Sequence, residues 1–325
     1  MKILKFCRQA LLTSAALAAT VLPLGEALAA EYPSKPVTAI VPFGAGGGTD
    51  TYARTLASVA YDILQQPLVV VNRPGGGGYV GAKFAADARG DGHTIMVQSA
   101  GSFILGGMMQ KRPVDPFSDF KPVAVIGQLH TGLVVPMDSP YQTAEDLIAA
   151  AKEKKLSWAH TGRGGVHHMA GSAFEIKQGF STKDIPYKGG GNVRTAVLGG
   201  QVDFAWMGVQ QVAGFEDKLR VLGVANTERD PVQNQYKTFE EQGVDYVRFV
   251  SPITVYVPKR TDQKVIDKLT VAIKEMQQQK PFKKLAKSSG LAVMYKDAAE
   301  TDVYLKTLRD EWLPVADQVK QKLSK

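Results

Sequence analysis

One unit recurs along this chain and limits what it can fold into: a short β-branched run, a glycine-rich loop, and then the start of a helix. Val37–Val41 runs into the loop 43–48, and the next residues put Ala53, Leu56, Ala57, Ala60 and Leu64 on one helical face. Leu68–Asn72 leads into a second glycine-rich loop at 74–78, and segments 94–98 and 123–128 read as further strands. A second cycle begins near Leu133. It has a capping-box helix from Thr143 and Asp146 to Lys154, a strand at 156–159, a loop at 161–166 and a helix at 167–178. The run 184–187 then meets glycines 189–191, and 202–206 and 219–225 continue as strands. Strands alternating with helical periods indicate an α/β fold with mainly parallel sheets.

These loops leave the carboxyl ends of strands, the side on which open α/β sheets bind their ligands. Each also opens a helix, whose unpaired N–H groups and partial positive charge hold an anion without a basic side chain. Two such cycles in 325 residues suggest two lobes that converge on an anion. The long apolar run 247–257 is placed to carry the chain back to the first lobe. Two helices close the chain, one with Ile266, Leu269, Ile273 and Met276 on a face, the other with Leu305, Leu308 and Trp312.

The first residues read differently. Lys2, Lys5 and Arg8 precede an uncharged apolar run at 10–24, and Ala27-Leu28-Ala29 follows as a small-x-small signal. This is the layout of a cleaved secretory leader, and the run is shorter than a membrane span. Cleavage near Ala29 would deliver the protein to a periplasm. The single cysteine, Cys7, would leave with the leader, and with it any disulfide or thiolate chemistry. At 44% hydrophobic and 22% charged, the chain is neither disordered nor a multi-span membrane protein. Its net charge of +8 favours acidic partners without choosing among them.

Other chemistries find little support. The loop from Phe43 to Asp50 lacks the Lys-Ser/Thr ending of a phosphate loop, and Thr49 stands where a dinucleotide fingerprint needs its third glycine. His160, His167 and His168 invite a metal reading. Adjacent histidines diverge on a helix, however, and no carboxylate lies near them in sequence, so neither metal nor cofactor is expected. Ser99, Ser102 and Ser172 have no nucleophile-elbow context, and Asp203, a conceivable base, is of a kind that usually braces a loop. The lysine-rich stretches 152–155 and 280–287 lack interleaved aromatic residues and read as solvated faces, so no nucleic acid is expected.

Several segments resemble one family. Tyr32-Pro33-Ser34-Lys35-Pro36 followed by Val41 to Asp50 is similar to the opening of the Bug, or TctC-like, extracytoplasmic receptors of tripartite tricarboxylate transporters. Asn72-Arg73-Pro74 with Gly75 to Gly78, Asp91-Gly92-His93-Thr94, Ser99-Ala100-Gly101 and His168-Met169-Ala170-Gly171 resemble its later motifs. So do Pro186-Tyr187-Lys188 with Gly189 to Gly191, and Leu198 to Asp203. The resemblance implies a type II periplasmic-binding-protein fold: two α/β lobes, a central cleft and two crossing hinge strands. Lobe 1 would be 30–131 plus 254–325, and lobe 2 would be 132–253. It also implies a monomeric, non-enzymatic receptor that captures a small carboxylate, such as a dicarboxylate, for two integral membrane subunits. A sensor working with a membrane kinase, or less readily an exported enzyme on an anionic substrate, are the alternatives.

Carried onto this chain, the resemblance places Phe43, Gly47, Gly48, Thr49, Asp50, Ser99 and Ala100 on one side of the ligand. His160, Thr161, Gly162, Arg163, His168, Gly190 and Asp203 would stand on the other. Departures fall in the second lobe: Gly162-Arg163-Gly164-Gly165 replaces Gly-x-Gly-Ser, His160 replaces a small hydroxyl residue, and Thr195 and Ala196 stand where an aspartate is common. Arg163 between two glycines is a candidate to turn inward onto a second carboxylate, assisted by His160 or His167; the alternative is a solvated surface arginine, as most loop arginines are.

Overall fold

The computed structural model describes residues 32–323, so the leader read over 1–29 lies outside the described residues. The strands form two sheets. The first contains β1 (Val37–Val41), β2 (Leu68–Asn72), β3 (Thr94–Ser99) and β4 (Phe120–Leu129); the second contains β5 (Thr131–Pro136), β6 (Ser157–His160), β7 (Lys183–Pro186), β8 (Phe204–Gly208) and β9 (Leu219–Val224). The chain then returns to the first sheet for β10 (Ser251–Pro258) and β11 (Ala292–Lys296). The strand orders are β11-β4-β10-β3-β1-β2 and β7-β6-β8-β5-β9. β1 is parallel to β2 and β3, and β6 is parallel to β7 and β8. β10 and β5 run antiparallel to their neighbours.

Only His130 separates β4 from β5, so one strand line passes directly from sheet to sheet. The return runs through 225–250, where Thr238 bridges Val224 at the edge of the second sheet, and joins the first sheet from Ser251. Within the apolar run 247–257, Phe249 and Val250 are buried without joining a ladder, and the Phe249 ring meets Trp312 at 5.8 Å. Hydrophobicity alone does not distinguish a packed coil from a strand.

Helices cover both sheets: α1 (Gly48–Ala57), α2 (Ala60–Leu64), α3 (Tyr79–Asp87), α4 (Ala100–Met109), α5 (Ala144–Glu153), α6 (Val166–Gln178), α7 (Gly190–Leu198), α8 (Gln263–Gln278), α9 (Lys280–Ser288) and α10 (Ala298–Leu323). The single helix read over 53–64 is in fact two. The Ser58 hydroxyl donates to Thr55 O at 2.8 Å, and β-branched Val59 leaves the helical region at φ −122°. α4 is apolar on all sides, so it shows no amphipathic period; its start is marked only by Ser99, whose Oγ accepts from Ser102 N–H. The capping box of Thr143 and Asp146 forms as read and opens α5.

One apolar core runs through both sheets. Phe103, Phe120 and Tyr256 join Trp158, Phe174 and Trp206 through Trp312 and Val319. α10 supplies the link, burying Leu305, Leu308, Trp312, Ala316 and Val319 at intervals of three and four residues. It packs on α4 and β4 of the first sheet and on α6 of the second. Near its end the Lys322 Nζ lies 2.8 Å from Oε2 of buried Glu175.

Candidate ligand-binding site

The loops after β1 and β7 meet face to face. Gly44 N–H donates to Lys188 O across the junction at 2.9 Å. Side chains are excluded along this seam: a Cβ built on Gly189 would lie 3.0 Å from Gly44 N, one on Gly47 3.2 Å from Gly190 N, and one on Gly191 3.2 Å from Ala45 O. Glycine is needed here for close backbone approach.

Asp50 holds the first loop in shape. Its carboxylate accepts from Gly46 N–H (2.9 Å), Arg54 Nε (2.9 Å) and Asn72 Nδ2 (2.8 Å), and Asn72 Nδ2 also donates to Phe43 O. Burial opposes the charge, but the bonds from Arg54, Gly46 and Asn72 outweigh it and hold the carboxyl below its ordinary range. Asp50 was expected at the ligand; its oxygens are instead committed to the loop that presents the amides.

Behind the seam lies a cavity with about 30 Å³ open to the centre of a water molecule, room for one or two waters. Phe43, Gly47, Gly48 and Thr49 line it from the first loop, and Ser99, Ser102 and Ser251 from the ends of β3, α4 and β10. Thr161, His167 and Gly190 face them with Gly208, Gln210 and Gln211. Seven of the expected residues therefore converge: Phe43, Gly47, Gly48, Thr49, Ser99, Thr161 and Gly190. Among the described residues no Lys or Arg lines this space, so its donors are neutral amides, hydroxyls and imidazole.

Three buried side-chain atoms there have no partner: His167 Nε2, Gln210 Oε1 and Gln211 Oε1. Such groups are costly unless something in the cavity meets them. His167 Nδ1 lies 2.9 Å from Thr161 Oγ1. Burial, aided by His160, lowers its pKa to about 3, so the ring is neutral. In the tautomer in which Thr161 donates to Nδ1, Nε2 carries the proton and is a donor for an anion. A second bridge between the halves is Val166 N–H to Ser102 Oγ at 3.2 Å.

Sequence reasoning had passed over Gln210 and Gln211 as site residues. In the sequence they are marked only as two consecutive amides that end the run Phe204 to Val209.

Other expected contacts stand elsewhere. His160 is fully buried under the wall, its Nδ1 accepting from Gly162 N–H (3.1 Å) and its Nε2 3.1 Å from Asp184 Oδ2. His168 is buried beside it, with Nδ1 accepting from Gly164 N–H at 3.2 Å. Both rings shape the loop from beneath and do not line the cavity. Asp203 accepts from Ser157 N–H and Oγ at 2.7 and 2.9 Å, at the end of β8 opposite Gly208, and so it braces a loop away from the cleft. Ala100 is buried as the first residue of α4 and does not line the cavity. Arg163, expected to turn inward, has a side chain 56% exposed and lies 2.8 Å from Asp184 Oδ2.

His160, His168 and Asp184 bring their ligating atoms within 4.8 Å, a spacing that a metal could use. The donor set does not suit one. Backbone N–H groups point at both Nδ1 atoms, which therefore accept, so in each ring Nε2, the nitrogen facing Asp184, bears a proton. A metal-ligating histidine normally donates from its other nitrogen, which neither ring can do here.

Outside the seam a larger space of about 350 Å³ lies between the glycines 75–78 and the loop carrying Gly162 and Arg163, with Arg112 and Lys188 on its walls. Phe43 and Thr161 border both spaces.

Over residues 52–319 the chain matches the model of the tripartite tricarboxylate transporter family receptor. The chain belongs to this family. BugT of Bordetella pertussis is 31% identical over 300 residues, 90% of this chain and 91% of that protein. The solved periplasmic binding protein BugD superposes with a TM-score of 0.82 at 25% identity, over 89% of this chain and 98% of that one. MatC from Rhodopseudomonas palustris, solved with bound malate, gives 0.81 at 25% identity over 88% and 100%. The fold is that of the periplasmic binding proteins of the TctC and Bug type, and the glycine seam lies between its two sheets.

Proposed function

We propose that this receptor captures a small organic acid between its two lobes and presents it to the membrane subunits of a tripartite tricarboxylate-type transporter. One observation carries the reading. Backbone loops from both sheets close on a small cavity that no cationic side chain among the described residues lines and that holds unpartnered polar atoms at His167, Gln210 and Gln211. A carboxylate there would accept from the amides at the start of α1 and from His167 Nε2–H, with the glutamine oxygens holding water. The malate bound to MatC, a protein of the same fold, supports this ligand class.

Lobe 1 would comprise 30–131 with 254–325, lobe 2 would comprise 132–253, and they would turn about His130 and the return segment before β10. The protein would act in the periplasm as a monomer after cleavage near Ala29, and would bind its ligand without converting it. A thermal-shift series of mono- and dicarboxylates tests the reading. A ligand at 100 times its Kd adds about 2.7 kcal/mol of stability, and the same acid should return unaltered in mass. A series in which no carboxylate raises the Tm would overturn it.

A further inference from the structure

The outer space is the larger of the two, and its character differs. Among the described residues no Asp or Glu lines it, whereas Arg112, Arg163 and Lys188 do. These cations are not equivalent. Arg163 is neutralised by Asp184 at 2.8 Å. Arg112 has no ion-pair partner among the described residues; its fork reaches only carbonyl oxygens, those of Gly106 (3.2 Å), Gly76 (3.3 Å) and Arg163 (3.3 Å). With its amide oxygen turned toward the guanidinium, Gln110 accepts from Nη1 at 3.1 Å and from Nη2 at 2.5 Å, both neutral contacts. The guanidinium lies over the Tyr79 ring, 4.6 Å from its centroid, which fixes its plane. Partial burial lowers its pKa, the mark of a desolvated charge lacking a counter-ion.

We propose that this space is a second anion subsite of the same cleft, and that Arg112, rather than Arg163, reads the distal anionic group of the ligand. The inference rests on the carboxylate reading of the inner cavity and adds the residue that would tell a diacid from a monoacid. Phe43 and Thr161, which border both spaces, form the neck through which its chain would pass. The long 3.3 Å bonds to carbonyls are readily exchanged for a charge-assisted pair to a carboxylate. Arg112 also spans the cleft, since Gly76 O belongs to a first-sheet loop and Arg163 O to a second-sheet loop. A distal anion held by Arg112 would therefore form its contacts only as the lobes close.

The test is calorimetry with α,ω-diacids of three to eight carbons and monoacids of the same lengths, on wild type, Arg112→Gln, Arg112→Lys and Arg163→Gln. The best diacid should bind wild type at least tenfold more tightly than its monoacid, an advantage that shrinks with added salt. Arg112→Gln should weaken that diacid roughly 10- to 100-fold while changing the monoacid less than threefold. Arg112→Lys should retain part of the preference, and Arg163→Gln should keep it. Equal losses for diacid and monoacid in Arg112→Gln would make the residue a latch only and overturn the inference. Equal binding of both acids by wild type would overturn it while leaving the carboxylate reading intact. Binding of neither acid would remove both.

Discussion

At Gly189 a single methyl group separates two accounts of how the cleft works. The residue touches no part of the inner cavity wall, and its φ of 165° is extended backbone that alanine adopts freely. A Cβ there would lie 3.0 Å from Gly44 N, the donor of the 2.9 Å bond to Lys188 O that joins the halves. Gly189→Ala should therefore leave each lobe intact and obstruct only their closure. Losing that bond removes about 0.5–1.5 kcal/mol. Forcing a methyl into a packed seam costs about 1–3 kcal/mol. Together these disfavour closure by about 1.5–4.5 kcal/mol, which raises Kd roughly 10- to 2,000-fold. Isothermal calorimetry with the best carboxylate of the series, beside a melt of unliganded protein, measures both parts. An unchanged Kd, or a fall in the unliganded Tm as large as the binding loss implies, would refute the closed-seam argument.

Three further outcomes follow from the same geometry. Asp50→Ala removes the acceptor of three hydrogen bonds, so the unliganded protein should lose about 2 kcal/mol of stability and bind its acid more weakly; loss of affinity without a lower Tm would return Asp50 to direct contact. His167 has a pKa of about 3 in the fold against 6.5 ordinarily, so stability is full above 6.5 and falls as pH drops toward 3. From pH 7 to 5 this residue alone should cost about 2 kcal/mol, seen as a lower Tm that His167→Gln reduces less. Lys322→Ala strips the cation from buried Glu175 and should destabilise the protein by about 1–3 kcal/mol in urea titration.

The sequence was most informative where a rule acts locally. Val37–Val41 and Leu68–Asn72 appear as strands with the bounds read from their β-branched runs, and the capping box at Thr143 needed only four residues to declare α5. α4 stayed hidden because a helix buried on all sides has no polar face to give it a period. In the site, the backbone contributors were legible because glycine runs announce close approach. The side chains were harder. Asp184 lies 24 residues beyond His160, and only the pairing of β6 with β7 brings it to His160, His168 and Arg163. That contact diverts Arg163 from the cavity, and no reading of the 162–165 loop alone could place it. Gln210 and Gln211 were missed because side-chain amides carry no motif; burial is what makes them conspicuous.

The central claim is that backbone loops of both lobes enclose one organic acid. Native mass spectrometry of the protein isolated from periplasm without refolding, followed by denaturing release, tests it most directly. The account predicts a single small carboxylate per chain, present in wild type and missing from Gly47→Val, whose side chain would fill the seam 3.2 Å from Gly190 N. A released molecule without an acidic group, or one retained equally by Gly47→Val, would contradict it.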